Sequence, residues 1–191
     1  VSTGKQRTKG LGGTPHPSYL RRFYMKLAAK LTVAALLGAI PSLVLADPKP
    51  RSAKPVDPQK IAEIYAGNTD IWANNCSGGI YYAPNQQARA WCGENSESLG
   101  AGQWKIDSNG RMCHQLSWYW PDGDGAGESP GDETCISHVV DRWGTIWRSW
   151  PDDPEWWQLA GKFSGLKPYS GMKEGYKFHK KVVETRSKLG L

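Results

Sequence analysis

The spacing of apolar positions along the 191-residue chain changes twice. Leu31 to Ala46 is a mostly apolar run. Asp57 to Gly67 carries Ile61, Ile64 and Tyr65 on one helical face, and from Thr69 onward apolar residues recur in short β-branched and aromatic runs. A 3.6-residue period predicts an amphipathic helix, and a period of two predicts half-buried strands. The helix carries its own boundary signals: Asp57 as N-cap, Pro58 at the first helical position, where its missing N–H costs nothing, and Gly67 as terminator. Strands are expected at Thr69–Ala73, Gly79–Ala83, Gln87–Trp91, Gly102–Ile106, Met112–Trp120, Thr134–Val140 and Thr145–Trp150. Between them lie Asn74-Asn75, Pro84-Asn85, Ser108-Asn109-Gly110, the loop 121–133 and Trp143-Gly144, residue types that favour turns. From Lys173 the tail is basic, with Tyr176, Phe178, Val182 and Val183 as its apolar positions. It reads as a short strand or loop passing into a helix. A meander of antiparallel hairpins hides its edges by curling. The expected fold is therefore mainly β, a small curved sheet or barrel-like (calycin-like) domain with one short N-terminal helix and a C-terminal helix.

The first apolar run has a different meaning. Arg21, Arg22, Lys26 and Lys30 precede it, Pro41 interrupts it, and Val44 and Ala46 stand third and first before Asp47-Pro48. A charged start, an apolar middle and such a cleavage point characterise a secretory signal. A spanning helix needs about 20 apolar residues, more than this run offers. Two starts are compatible. Met25 makes 25–46 the signal peptide and 1–24 an over-extended start; alternatively Leu20-Arg21-Arg22-Phe23-Tyr24-Met25-Lys26 resembles the twin-arginine export box. Both place the product in the periplasm or outside the cell, with 1–46 as leader, 47–57 as a Pro-rich linker and 58–191 as a single domain. No Cys follows the cut to accept a lipid.

Removing the leader changes the charge. Residues 1–46 hold seven of the 24 Lys and Arg and none of the 18 Asp and Glu, so the basic balance belongs to the leader and residues 47–191 carry one net negative charge. A nucleic-acid partner, which needs a basic stripe on the folded domain, loses its compositional support.

All four cysteines, Cys76, Cys92, Cys113 and Cys135, lie beyond the leader. Two disulfides are expected in an exported chain. Four cysteines permit three connectivities; Cys76–Cys92 with Cys113–Cys135 is preferred because each would staple neighbouring strands across one loop. A zinc site is disfavoured, since no Cys-x-x-Cys occurs.

The ten tryptophans all fall between Trp72 and Trp157. Trp72, Trp91, Trp104 and Trp118 sit where a strand would alternate inward, which makes core packing their default. Trp118 and Trp120 share a strand face, and Trp147, Trp150, Trp156 and Trp157 crowd one later segment beside Asp152, Asp153 and Glu155. These six are the candidate ligand-binding rings, because exposed indoles stack on sugar faces. From Asp122 to Glu133, carboxylates stand at positions one, three, seven and twelve with glycine at six, as in a helix-loop-helix calcium loop. Ala126 at five, Pro130 at nine and strand-like flanks argue instead for an acidic hairpin loop, and no metal or cofactor is assigned. His114 and His138 read as partly buried, hydrogen-bonded histidines. No nucleophile elbow, zinc-protease helix or phosphate loop is present, so no catalytic residue is assigned. Asp152, Asp153 and Glu155 remain the only carboxylate group that a hydrolase reading could use.

Several of these landmarks recur together. They are Ile64-Tyr65-Ala66-Gly67-Asn68-Thr69 followed by Trp72; Gly79-Ile80-Tyr81-Tyr82-Ala83-Pro84-Asn85 leading to Trp91; Gly102-Gln103-Trp104-Lys105-Ile106; Gly110-Arg111-Met112-Cys113 followed by Trp118; and Cys135-Ile136-Ser137-His138 with Thr145-Ile146-Trp147. Across about residues 58–178 the chain resembles the bacterial family catalogued as domain of unknown function 995. That resemblance implies a small exported protein with no settled activity and no catalytic residues to carry over; Cys76 and Cys92 fall outside the pattern. The combined expectation is an exported, non-enzymatic β protein that binds a small ligand or an envelope component, a glycan among them. A carboxylate-dependent hydrolase of envelope glycans and a structural envelope protein are the alternatives.

Overall fold

The computed structural model describes residues 48–72, 76–93, 97–151, 153–163, 165–168 and 170–191, all within the compact unit Leu45–Leu191. The leader therefore lies outside the described residues. Helix α1 (Pro58–Tyr65) forms where expected: the Asp57 carboxylate accepts the Gln59 N–H, Pro58 opens the first turn, and Gly67 follows in the left-handed region at φ 81°. Its apolar stripe, Ile61, Ile64 and Tyr65, is completely or almost completely buried.

The rest is an antiparallel sheet of strands β1 (Lys54–Pro55), β2 (Asn68–Ile71), β3 (Gly79–Tyr82), β4 (Gln87–Cys92), β5 (Ser98–Ile106), β6 (Met112–Asp122), β7 (Gly125–Pro130), β8 (Thr134–Val140), β9 (Ile146–Ser149), β10 (Trp157–Ala160) and β11 (Met172–Glu174). Helix α2 (His179–Lys188) closes the chain. The main path runs β10-β9-β8-β6-β5-β4-β3-β2-β11, a nearly closed barrel of hairpins. β6 is long enough to serve two partners on one edge: Met112 to His114 pair with β8, and Ser117 to Asp122 pair with β7.

Closure falls to the segment between β10 and β11. The Lys167 N–H donates to the Leu159 carbonyl, and the Ile71 N–H donates to the Gly171 carbonyl at 2.9 Å. β11 then adds to the free edge of β2. A sheet curled this way leaves few unpaired backbone groups at its rims.

Alternation sorts the side chains. Inward positions on β3 to β6 are Ile80 and Tyr82, Ala88 and Ala90, Gly100, Gly102 and Trp104, and Met112, His114, Leu116 and Trp118, following the register Ile80↔Ala90↔Gly100↔Trp118. They pack with Ile61, Ile64 and Tyr65, so α1 covers the end of the barrel where β2 begins and β8 finishes. Trp91 corrects the inward reading made from sequence. It is 7 % exposed but lies on the outer face opposite Leu99, beneath α2, with its indole N–H donating to Thr185 Oγ1 at 3.1 Å and its ring stacked on Phe178.

Both disulfides have the expected pairing, Cys76–Cys92 and Cys113–Cys135. Cys113 and Cys135 stand opposite one another across β6 and β8. The predicted loop 121–133 is instead mostly a hairpin: β7 extends the sheet along β6 and turns at Gly123. Its carboxylates stand at the end of β6 (Asp122), in the turn (Asp124), on β7 (Glu128) and in the link to β8 (Asp132, Glu133), a different geometry from a calcium loop wrapped between helices. Disulfides fit an oxidising, extracytoplasmic environment, and among the described residues no helix is long and apolar enough to cross a membrane.

Candidate functional site in the barrel interior

The interior holds a polar cluster that no motif announced. Arg148 on β9 points inward, and its guanidinium forks onto Asp70 of β2: Nη1 donates to Oδ2 at 2.6 Å and Nη2 to Oδ1 at 3.0 Å. Nη2 also donates to the Ser170 carbonyl at 2.7 Å. Both side chains are buried, Arg148 at 7 % and Asp70 at 2 % side-chain exposure. The pair thus ties the two arms of the sheet together beside the closing segment. Taking two charges out of water costs several kcal/mol per ion, which a bidentate geometry with a third bond largely offsets, while loss of one partner alone is severely destabilising.

Tyr65 and His138 stand next to it. The Tyr65 hydroxyl lies 2.9 Å from His138 Nε2, and the two rings meet edge-on. Burial, reinforced by the Arg148 charge, pushes the His138 imidazole down to about 3, with the Ile136 carbonyl opposing. The imidazole is therefore neutral, and its tautomer sets whether Nε2 accepts from or donates to the Tyr65 hydroxyl. Burial raises the Tyr65 and Tyr82 hydroxyls well above their ordinary range, with Arg148 opposing in both. Burial works against the Arg148 charge, yet Asp70 and Tyr65 more than offset it and its pKa rises. His114 is lowered by burial, Asp70 opposing. The cluster at neutral pH is a paired Arg–Asp charge among neutral tyrosines and histidines.

Its hydrogen bonding is incomplete. Tyr82 Oη, His114 Nδ1, His138 Nδ1 and Arg148 Nε are buried without a hydrogen-bond partner. Buried polar groups are normally satisfied, and each unsatisfied one costs about 1–3 kcal/mol. Four in one interior set this cluster apart from an ordinarily satisfied core.

Three tryptophans border the cluster at the end away from α1. Trp150 follows β9 with Arg148 5.2 Å over its ring, Trp72 follows β2 two residues after Asp70, and Trp72 and Trp118 lie 6.1 Å apart. All three are partly buried against the core. Two of the six candidate rings, Trp118 and Trp150, are thus brought to one place. The other four are not. Trp120 lies against Gly127, where a Cβ would meet its ring at 2.7 Å. Trp147 is 8 % exposed and gives its indole N–H to Asp141 at 2.9 Å. Trp156 and Trp157 are half-buried, with the Lys49 ammonium 5.5 Å from the Trp156 ring.

Of the carboxylate group, Asp152 lies outside the described residues. Asp153 Oδ1 accepts the Glu155 N–H at 2.8 Å and so shapes its own turn. Among the described residues, the metal-type donor atoms that gather are Asp107 with Cys113 and Cys135, whose sulfurs are already joined to each other.

Sequence reasoning missed Asp70, Arg148, Tyr65 and Tyr82 as site residues. The available signal was parity: Arg148 shares a face with Ile146 and Trp150, and Asp70 with Trp72, so a charge stood at an inward position on two strands. No curated protein and no solved structure matches this chain. The sequence model of a family described as a protein of unknown function, DUF995, matches residues 33–163. With the expected order of strands and that match over more than half of its length, the chain belongs to the DUF995 family.

Proposed function

We propose that this protein is an exported, non-enzymatic binding domain that takes a small polar ligand, with an envelope glycan unit the first class to test, at the barrel end framed by Trp72, Trp118 and Trp150. The observation that carries the reading is the set of four unpartnered buried polar atoms around the Asp70–Arg148 pair. A ligand offering hydroxyls satisfies such atoms, and indole faces beside them suit the apolar face of a sugar ring. Export with removal of residues 25–46 accords with the disulfides.

Tryptophan fluorescence titration against a panel of envelope oligosaccharides tests it, with Tyr82→Phe as the diagnostic variant. Saturable shifts are expected, weakened about fivefold or more in the variant. The ligand-free Tyr82→Phe protein should be as stable as the parent or slightly more so, since it loses an unsatisfied hydroxyl. Absence of a shift across the panel, or equal affinity in both proteins, would count against this reading.

A further inference from the structure

The two most exposed large aromatic residues described are Trp143, 71 % exposed, and Phe163, 89 % exposed. Each stands in a turn at the barrel end covered by α1, Trp143 in the turn after β8 and Phe163 in the turn after β10. The turns adjoin, because a Cβ placed on Gly144 would lie 2.9 Å from Lys162 Cγ. Cations flank both rings: the Arg142 guanidinium sits 4.6 Å from the Trp143 ring and the Lys162 ammonium 5.7 Å from Phe163. Arg51 joins them across an open groove of about 480 Å³ beside Trp143.

The acid in this groove, Asp141, is turned to internal use. Its Oδ1 accepts the N–H groups of Trp143 and Thr145, and its Oδ2 accepts the Trp147 indole N–H. Those bonds fix the turn that carries Trp143. The face therefore presents a held indole, a phenyl ring and three cations, with its one lining carboxylate already occupied.

We propose that this face docks the protein onto an anionic phospholipid surface. Protruding Trp and Phe rings suit the headgroup boundary, where an amphipathic indole is favoured and a phenyl ring gains by leaving water. Arg51, Arg142 and Lys162 supply attraction to anionic headgroups. A glycan partner accounts for less: Phe163 offers a sugar no hydrogen bond, and Arg142 already occupies a face of Trp143. The site lies at the α1 end, away from Trp72, Trp118 and Trp150, so it stands or falls independently of the ligand proposed above.

Co-sedimentation of the protein, purified as its host processes it, with vesicles of phosphatidylglycerol and phosphatidylethanolamine tests the proposal against vesicles of phosphatidylcholine. Binding is expected to the anionic vesicles, to fall several-fold as salt is raised, and to fall about tenfold or more in the Trp143→Ser/Phe163→Ser protein. Arg51→Gln/Arg142→Gln/Lys162→Gln should lower it comparably and flatten its salt dependence. Both side-chain sets are at the surface, so the urea midpoints should match the parent's and show that folding is not at issue. Equal binding to neutral vesicles, unchanged binding in the double-serine protein, or no sedimentation with anionic vesicles would each overturn it. Fluorescence titration of the double-serine protein with an oligosaccharide should be unaltered in every case.

Discussion

His138 turns burial into a dependence on acid. Its pKa is about 3 in the fold because burial and the Arg148 charge both oppose protonation, against roughly 6.5 in an unfolded chain. Above the higher value both states are neutral and the stability is intact. As pH falls through the interval, the unfolded chain takes up a proton that the folded one refuses, so stability declines by about 1.4 kcal/mol per pH unit. His114, also lowered by burial, adds in the same direction. Urea midpoints measured from pH 7 to pH 5 should thus fall by the equivalent of about 2 kcal/mol or more. His138→Gln keeps an acceptor for the Tyr65 hydroxyl and removes the titration, so its slope should be visibly flatter; an identical slope would mean that His138 does not titrate as described. The sequence made His138 legible as a partly buried, hydrogen-bonded residue on a probable strand; in the fold it is 5 % exposed. The sequence did not reveal that the partner is Tyr65, 73 positions away, because such contacts depend on how the sheet curls and not on spacing.

At the level of the elements, pattern worked where side chains announced it. Helix α1 and strand β8 have their expected bounds because a cap, a terminator and unbroken β-branched alternation agreed. β7 was hidden because Gly-Ala-Gly-Glu-Ser-Pro carries no strand-forming side chain; it is a strand only because the end of β6 needs a partner. β10 was likewise invisible, being a short edge placed by barrel closure, whereas β11 falls where the tail from Lys173 reads as a short strand or loop. β5 starts four residues before its expected bound, at Ser98, since its glycines and alanine mask the period. One of those glycines is needed for close approach: a Cβ on Gly102 would lie 1.9 Å from the Gln115 carbonyl oxygen on β6. Gly102→Ala must then force the central hairpin apart, and the expected loss is about 1–3 kcal/mol by urea denaturation. Gly165→Ala, where nothing stands within 4 Å, serves as the control and should cost much less.

For the whole molecule, the two disulfides close separate segments of chain, 76–92 and 113–135, with no overlap. In the chain-entropy account each such closure contributes about 3 kcal/mol by restricting the unfolded state, and closures that share no residues should add. Their combined contribution of roughly 6 kcal/mol is comparable to the total stability of a domain this size, about 5–15 kcal/mol. The rest must hold a barrel whose seam is noncovalent and whose interior keeps a buried ion pair with several polar groups unsatisfied. Replacing one pair, either Cys76→Ser/Cys92→Ser or Cys113→Ser/Cys135→Ser, should leave a folded protein with a clearly lower urea midpoint. Replacing both should bring the chain close to its unfolding threshold, with loss of the cooperative near-ultraviolet circular dichroism transition. A four-serine protein that unfolds as cooperatively as either single-bridge protein, at the same midpoint, would place the stabilisation in the sheet and the Asp70–Arg148 seam instead. The sign of that result also bears on compartment, because a fold that needs its bridges is confined to places where thiols are oxidised.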